Sequence, residues 1–278
     1  MQRLVKYLVL LIFISFNFRT NAQDSVSFAR FFGCSSANDF TINSIGTVYL
    51  LEGSSSEILQ ISQSGKIIKQ SGGFGWDDGL FDNPSSVFSN LLSVIVADKN
   101  NHRIQIFDKN LNFSGKLNLS NTPRGKDPIK YPIDCAISPQ GDYFVLDSEN
   151  KRVVKFNSSG EYLTEFGGVD AGVYSLKSPS KIIIQEEQIT VIDAAALVTF
   201  TQFGDGIGSK QLGNNIGSIY LTNDDFYYSV DNQLFKSPVD AASTAKLITK
   251  VDEPILKIEI FEGSIYLLTR HAIFKSQN

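Results

Sequence analysis

The 278-residue chain has only two histidines, two cysteines, one methionine and one tryptophan. Two imidazoles cannot build the histidine-rich centres of zinc hydrolases, and no His-Glu-x-x-His, Cys-x-x-Cys or Gly-x-Ser-x-Gly string occurs. The sequence therefore carries no recognisable metal site, catalytic residue or nucleophile motif, and no cofactor is expected. Basic runs stop at two residues, and 25 Lys and Arg stand against 29 Asp and Glu for a net charge of −4. Nothing here is built to neutralise a phosphate backbone, so no nucleic-acid partner is expected. Cys34 and Cys135 are too few for a disulfide framework, and their spacing is not diagnostic.

The single long apolar run lies at the N-terminus. Arg3 and Lys6 precede an almost unbroken apolar stretch from Tyr7 to Phe18, and Thr20-Asn21-Ala22 supplies small residues where a signal peptidase cuts. As a helix the stretch reaches about 18 Å, against about 30 Å of hydrocarbon. Residues 1–22 thus read as a secretory leader and 23–278 as the mature domain, secreted or periplasmic, with no membrane span once the leader is removed. Gln23, not cysteine, follows Ala22, so no lipid anchor is expected. Removing Arg3, Lys6 and Arg19 with no acid lost takes the charge from −4 to −7, which disfavours nucleic acid and anionic membranes further.

What the chain does have is 21 Phe, 10 Tyr and many short β-branched runs, the composition of pleated, half-buried surfaces. Six such cores recur: Val48-Tyr-Leu-Leu-Glu52, Val94-Ile-Val-Ala-Asp98, Tyr143-Phe-Val-Leu-Asp147, Ile189-Thr-Val-Ile-Asp193, Phe226-Tyr-Tyr-Ser-Val230 and Ile265-Tyr-Leu-Leu-Thr269. Pro84, Pro132, Pro179 and Pro254 each fall 10 or 11 residues ahead of a core. Each unit has room for four short strands separated by Gly, Asn or Asp turns. Four strands in about forty residues, repeated six times, predict an all-β, six-bladed β-propeller of four-stranded antiparallel blades. The final unit holds only three strands, while Phe28-Ala-Arg-Phe-Phe-Gly33 looks like the outer strand Tyr162-Leu-Thr-Glu-Phe-Gly167. The N-terminal strand is therefore expected to complete the last blade and close the ring. In such a ring Cys34 and Cys135 lie blades apart, which argues against a disulfide, since a bridge needs Cα atoms within about 7 Å.

The second and third units match most closely, as Asp98-x-x-Asn101-x-Arg103-Ile104 and Asp147-x-x-Asn150-x-Arg152-Val153. Asp and Asn oxygens can accept turn amides, and the Arg returns a charge-assisted bond, so these six residues read as structural turn locks. The unit resembles the NHL repeat, with Asn101-His102-Arg103-Ile104 in the position of the family's name motif, and the resemblance is strongest over residues 70–170. It implies a binding propeller or, in some members, a lyase with zinc held by several histidines; related six-bladed folds include calcium-dependent lactonases.

Candidate ligand contacts fall on the crossing loops between blades. Gly75-Trp76-Asp77-Asp78-Gly79-Leu80-Phe81-Asp82 carries the only tryptophan and three acids, and Lys130 and Tyr131 come from the next loop. Trp76, Asp77, Asp78, Phe81, Lys130 and Tyr131 suit a binding surface; alternatively Trp76 and Phe81 cap the core under the loop. Two residues after their prolines, Ser86, Asp134 and Lys181 point towards the channel, where Asp134 is the single acid expected and Asp134 with Lys181 the expected ion pair. His102 reads as a turn histidine packed on a neighbour, and His271 sits on the last strand. Asn112, Asn118 and Asn157 head glycan sequons. The function expected is a monomeric, non-enzymatic scaffold for a protein, peptide or glycan on the crossing-loop face; the alternative is a lyase or lactonase with a divalent cation in the channel.

Overall fold

The computed structural model describes residues 26–119, 127–211, 216–222, 225–238 and 245–277. The expected leader, residues 1–22, lies outside them, as does Ser120 of the second sequon. Strand β1 (Phe28–Gly33) is followed by six consecutive groups. Blade 1 comprises β2 (Ala37–Ile42), β3 (Val48–Glu52), β4 (Glu57–Ile61) and β5 (Ile67–Gly72). Blade 2 comprises β6 (Pro84–Ser89), β7 (Ser93–Asp98), β8 (Arg103–Asp108) and β9 (Phe113–Leu117). Blade 3 comprises β10 (Pro132–Ile137), β11 (Tyr143–Asp147), β12 (Arg152–Phe156) and β13 (Tyr162–Phe166). Blade 4 comprises β14 (Pro179–Gln185), β15 (Gln188–Asp193), β16 (Ala196–Thr201) and β17 (Gly206–Gln211). Blade 5 comprises β18 (Ile216–Leu221), β19 (Asp225–Val230), β20 (Gln233–Pro238) and β21 (Lys246–Lys250). Blade 6 contributes β22 (Lys257–Phe261), β23 (Ser264–Leu268) and β24 (Ala272–Ser276).

Each blade is an antiparallel four-stranded sheet in chain order, except the sixth, whose order is β22, β23, β24, β1. Phe28 pairs with Ser276 and Gly33 with Ala272, so the expected closure is present and β24 keeps no open edge. All six recurrent cores fall on the second strand of a blade. These strands are covered on both faces by neighbouring blades, which is why they read as continuous apolar runs, whereas the outer strand β17 alternates half-buried with exposed residues. The core is divided into six clusters, one at each blade-to-blade contact. Tyr49 and Leu51 of blade 1 meet Val87, Val94 and Phe107 of blade 2, for example. Pro84, Pro132 and Pro179 open inner strands, where a missing N–H costs little.

Candidate functional site

Asp98, fully buried at the end of β7, organises the first crossing loop. Its Oδ1 accepts the Asp82 amide at 2.8 Å, and its Oδ2 accepts Asn101 Nδ2 at 2.9 Å, Arg103 Nε at 2.8 Å and Gln105 Nε2 at 3.2 Å. The remaining Arg103 nitrogens donate to the carbonyls of Trp76, Asp77 and Leu80 at 2.8, 2.9 and 2.8 Å. Asn101 also donates to the Gly75 carbonyl. The lock therefore does more than brace its own turn: it clamps loop 73–83. Blade 3 repeats the device. Asp147 accepts Asn150 Nδ2 at 2.8 Å and Arg152 Nε at 3.1 Å, while Asn150 and Arg152 donate to the carbonyls of Pro128 and Asp127. In blade 4, which lacks the Asn and Arg, Asp193 still accepts the amides of Lys177 and Ser178 at the end of its crossing loop.

On this clamped backbone Trp76 is 71% exposed and meets the exposed Phe74 edge-on at 5.7 Å. Asp77 and Asp78 are exposed beside it, with Asp78 paired to Lys116 at 2.9 Å. Phe81 differs from the expectation of a ligand contact: it is fully buried against Phe107 at 5.8 Å and supports the loop from beneath. Lys130 is exposed and its amide reaches Asp147. Tyr131 lies edge-on to His102 at 4.5 Å, and His102 Nδ1 accepts the Tyr131 amide at 3.0 Å. The turn at residues 99–102 thus touches both crossing loops. Sequence reasoning missed Val169 and Val173, which stand 86% and 83% exposed on a short 3-10 helix, Val169–Tyr174, in the third crossing loop. Their signal was a pair of valines between Gly168 and Ser178 with no strand alternation to bury them. His271 lies apart, exposed and 2.7 Å from Glu253.

At the axis each inner strand contributes one residue: Asp39, Ser86, Asp134 and Lys181, each paired with the second-last position of the second strand, Lys257, paired with Leu268 at the end of β23, and Ser218 of β18. Three of them accept the amide of the next blade: Asp39 from Val87 at 3.0 Å, Asp134 from Ile182 at 2.7 Å and Ser218 from Ile258 at 3.1 Å. The lysines cannot accept, and both extend to Asp39, Lys181 at 3.1 Å and Lys257 at 3.0 Å. Blades 1 and 4 are opposite in the ring, so the Lys181 pair spans the axis and plugs the channel. This corrects two expectations. Asp134 is not the single axial acid, because Asp39 holds the same position behind Ala37 instead of a proline. Asp134 does not pair with Lys181 either; its carboxylate is taken by the amides of Cys135 and Ile182. Burial pushes the Asp39 carboxyl up, but the Lys181 and Lys257 charges and the Val87 amide outweigh it and hold it below the usual range. Burial also opposes the Lys257 charge, yet Asp39, Glu259 and Asp134 raise it above an ordinary lysine.

Beyond the plug the axis widens into a funnel of about 690 Å³ lined by all six inner strands. Pro84 pairs with Asp98 beside the crossing loops and Ser89 with Val94 at the other end, and Asn90, Leu91 and Leu92 line the mouth. The funnel therefore opens on the face away from the crossing loops. Glu259 stands in it 3.6 Å from Lys257, with its carboxyl pushed up to about 7, chiefly by burial. Among the described residues no group of three or more His, Cys, Asp or Glu could hold a metal ion. Both cysteines are free; burial, then the Glu52 charge, pushes Cys34 up to about 11, and burial with the Asp134 charge raises Cys135.

Comparison with known proteins places the NHL repeat at residues 81–107, the stretch from Phe81 to Phe107 that contains the first lock. Protein brain tumor from Drosophila melanogaster is 31% identical over 140 residues, 48% of this chain but 13% of that protein. Among solved structures, a catalytically inactive variant of virginiamycin B lyase from Staphylococcus aureus with quinupristin superimposes with a TM-score of 0.61 at 15% identity, over 87% of this chain and 80% of that one. The extracellular domain of a hybrid two-component system from B. thetaiotaomicron gives 0.59 at 14% identity, over 87% of this chain and 34% of that one. At these identities the likeness is one of fold.

Proposed function

We propose that this six-bladed propeller with its NHL repeat is a secreted or periplasmic, non-enzymatic scaffold that captures a protein, peptide or glycan on its crossing-loop face. The supporting observation is that consecutive crossing loops carry exposed apolar side chains on backbone that is already fixed. Phe74 and Trp76 stand on the first loop, Tyr131 on the second and Val169 with Val173 on the third. Arg103, Asn101 and Gln105 hold the first loop, and Arg152 with Asn150 hold the second. A pre-ordered aromatic loses little conformational entropy on binding, which is what an interface anchor requires. The valines favour a protein or peptide over a glycan, and Asp77, Asp78 and Asp170 give the arc an acidic fringe. An extracellular location is in keeping with the like-folded extracellular domain and with the leader read from residues 1–22. Among the described residues no helix is long and apolar enough to cross a membrane.

The test is capture from the native exterior fraction on immobilised protein. Trp76→Ala with Asp77→Ala should weaken capture by roughly 2 kcal/mol, while Asp134→Ala should leave it nearly unchanged. The reverse result, together with one bound cation per chain by elemental analysis, would mean a lyase or lactonase in the channel and overturn the scaffold reading.

A further inference from the structure

The funnel is a concave site apart from the exposed crossing-loop face, and nothing in the scaffold function uses it. Its volume of about 690 Å³ is that of a small-molecule site. Its walls are largely apolar, with Phe88, Ile137, Ile183 and Leu221 among them. The charges at its floor and mouth do not balance: Asp39, Asp134, Glu259 and Glu186 stand against Lys181 and Lys257. Both lysines are drawn to Asp39, and Lys257 lies nearer to Asp39, at 3.0 Å, than to Glu259, at 3.6 Å. Glu259 therefore stands in an apolar-walled space and shares its nearest cation, Lys257, with Asp39. The mouth is divided as well. Exposed Leu91 and Leu92 form the blade 2 lip, with Ile45 exposed on the neighbouring turn of blade 1, and exposed Glu186 marks the blade 4 lip.

We infer that the funnel binds an amphipathic amine, an alkylammonium group seated against Glu259 with its apolar body along the inner strands towards the Leu91 and Leu92 lip. The chemistry is common to a free organic amine and to a lysine side chain of a peptide. The groups facing Glu259 are Lys257 on its own strand, Asp39 on β2, Lys181 on β14 and Tyr220 on β18. The Glu259 carboxyl, pushed up to about 7 by burial, changes charge there, so amine binding should strengthen as pH rises through about 7, because the ammonium selects the ionised carboxylate.

Calorimetric titration of the full protein with hexylamine, with hexanol as the uncharged control and with a lysine-bearing tripeptide, tests this directly. Hexylamine should bind at least about tenfold tighter than hexanol at pH 8, and lose about tenfold at pH 5.5 or in Glu259→Gln. Leu92→Ser, a change at an exposed position that leaves the fold untouched, should weaken hexylamine about threefold by removing apolar contact. Tighter binding of the peptide than of hexylamine identifies a lysine side chain as the source, and the reverse a free amine. Equal binding of hexylamine and hexanol, or hexylamine affinity unmoved in Glu259→Gln, overturns the inference, as does calcium or zinc binding that displaces the amine. Trp76→Ala should leave amine binding unchanged, so a failure of the crossing-loop reading and a failure here are separable.

Discussion

Replacing Asp39 by Asn tests the axial plug most sharply. The side chain is fully buried, carries two lysine contacts at 3.1 and 3.0 Å and accepts the Val87 amide at 3.0 Å. Asn keeps an oxygen for the amide, so the substitution isolates the charge. Two ammonium groups then remain in a confined space with only Glu259 and Asp134 to answer them. Removing one partner from a buried ionic cluster costs about 3–5 kcal/mol; because both lysines retain some exposure, at 26% and 21%, the lower end, about 3 kcal/mol, is expected. At about 2–4 °C per kcal/mol for a domain of this size, the midpoint should fall by roughly 10 °C. Lys181→Met alone should change stability by less than about 1 kcal/mol, since Lys257 still neutralises Asp39, and it should recover part of the loss when combined with Asp39→Asn. Urea and thermal unfolding at pH 7 measure all three. The depressed Asp39 carboxyl adds a pH signature: its contribution is present above the unfolded value of 3.8 and is lost as pH falls through the folded one. An Asp39→Asn protein that melts with the parent would refute the plug as a stabilising element.

Glu259→Gln should act oppositely. Its carboxyl rises from 4.5 to about 7, so the native state holds the proton more tightly and ionisation opposes folding above that range. The variant should be more stable by about 3 kcal/mol at pH 8, with the gain vanishing below about pH 4.5, as followed by denaturation across pH. Asp98→Ala strands the Asp82 amide and the Arg103 guanidinium and should cost about 2–4 kcal/mol, with faster amide exchange in loop 73–83; unchanged exchange there would remove the clamp. Deleting residues 23–33 should expose the β24 edge and cause aggregation or a large loss of stability, measured by light scattering and melting.

The blades, their number and the closing strand were legible because each rests on local pattern: apolar runs where a strand is covered on both faces, prolines where an inner strand begins, Asp and Asn where a turn needs acceptors. The locks were legible for the same reason, although their grip on the crossing loops was not, since Arg103 reaches carbonyls 23 to 27 residues back. The axial ring was read only where a proline marked the register. Ala37 stands where a proline would, and in blade 6 Pro254 lies three residues ahead of Lys257 instead of two, so Asp39 and Lys257 escaped the pattern. The pairing of Asp39 with Lys181, 142 residues away, depends on which blades lie opposite, which no local pattern records. Phe81 and Trp76 share one loop with opposite fates, because Phe81 falls over the Phe107 cluster and Trp76 over the clamped turn.

The closure of blade 6 also sets the order in which the molecule can assemble. Blades 1 to 5 each draw their strands from one stretch of chain and can zip as local meanders, but Ser27 and Gln277, hydrogen-bonded beside the β1 and β24 pairing, are 250 residues apart. On a ribosome, β1 emerges first and waits for a partner that emerges last. Bringing such distant segments together is the slow, entropically costly event in β-rich chains, so ring closure should be the rate-limiting step of folding, and a nascent propeller should spend most of its synthesis as an open arc.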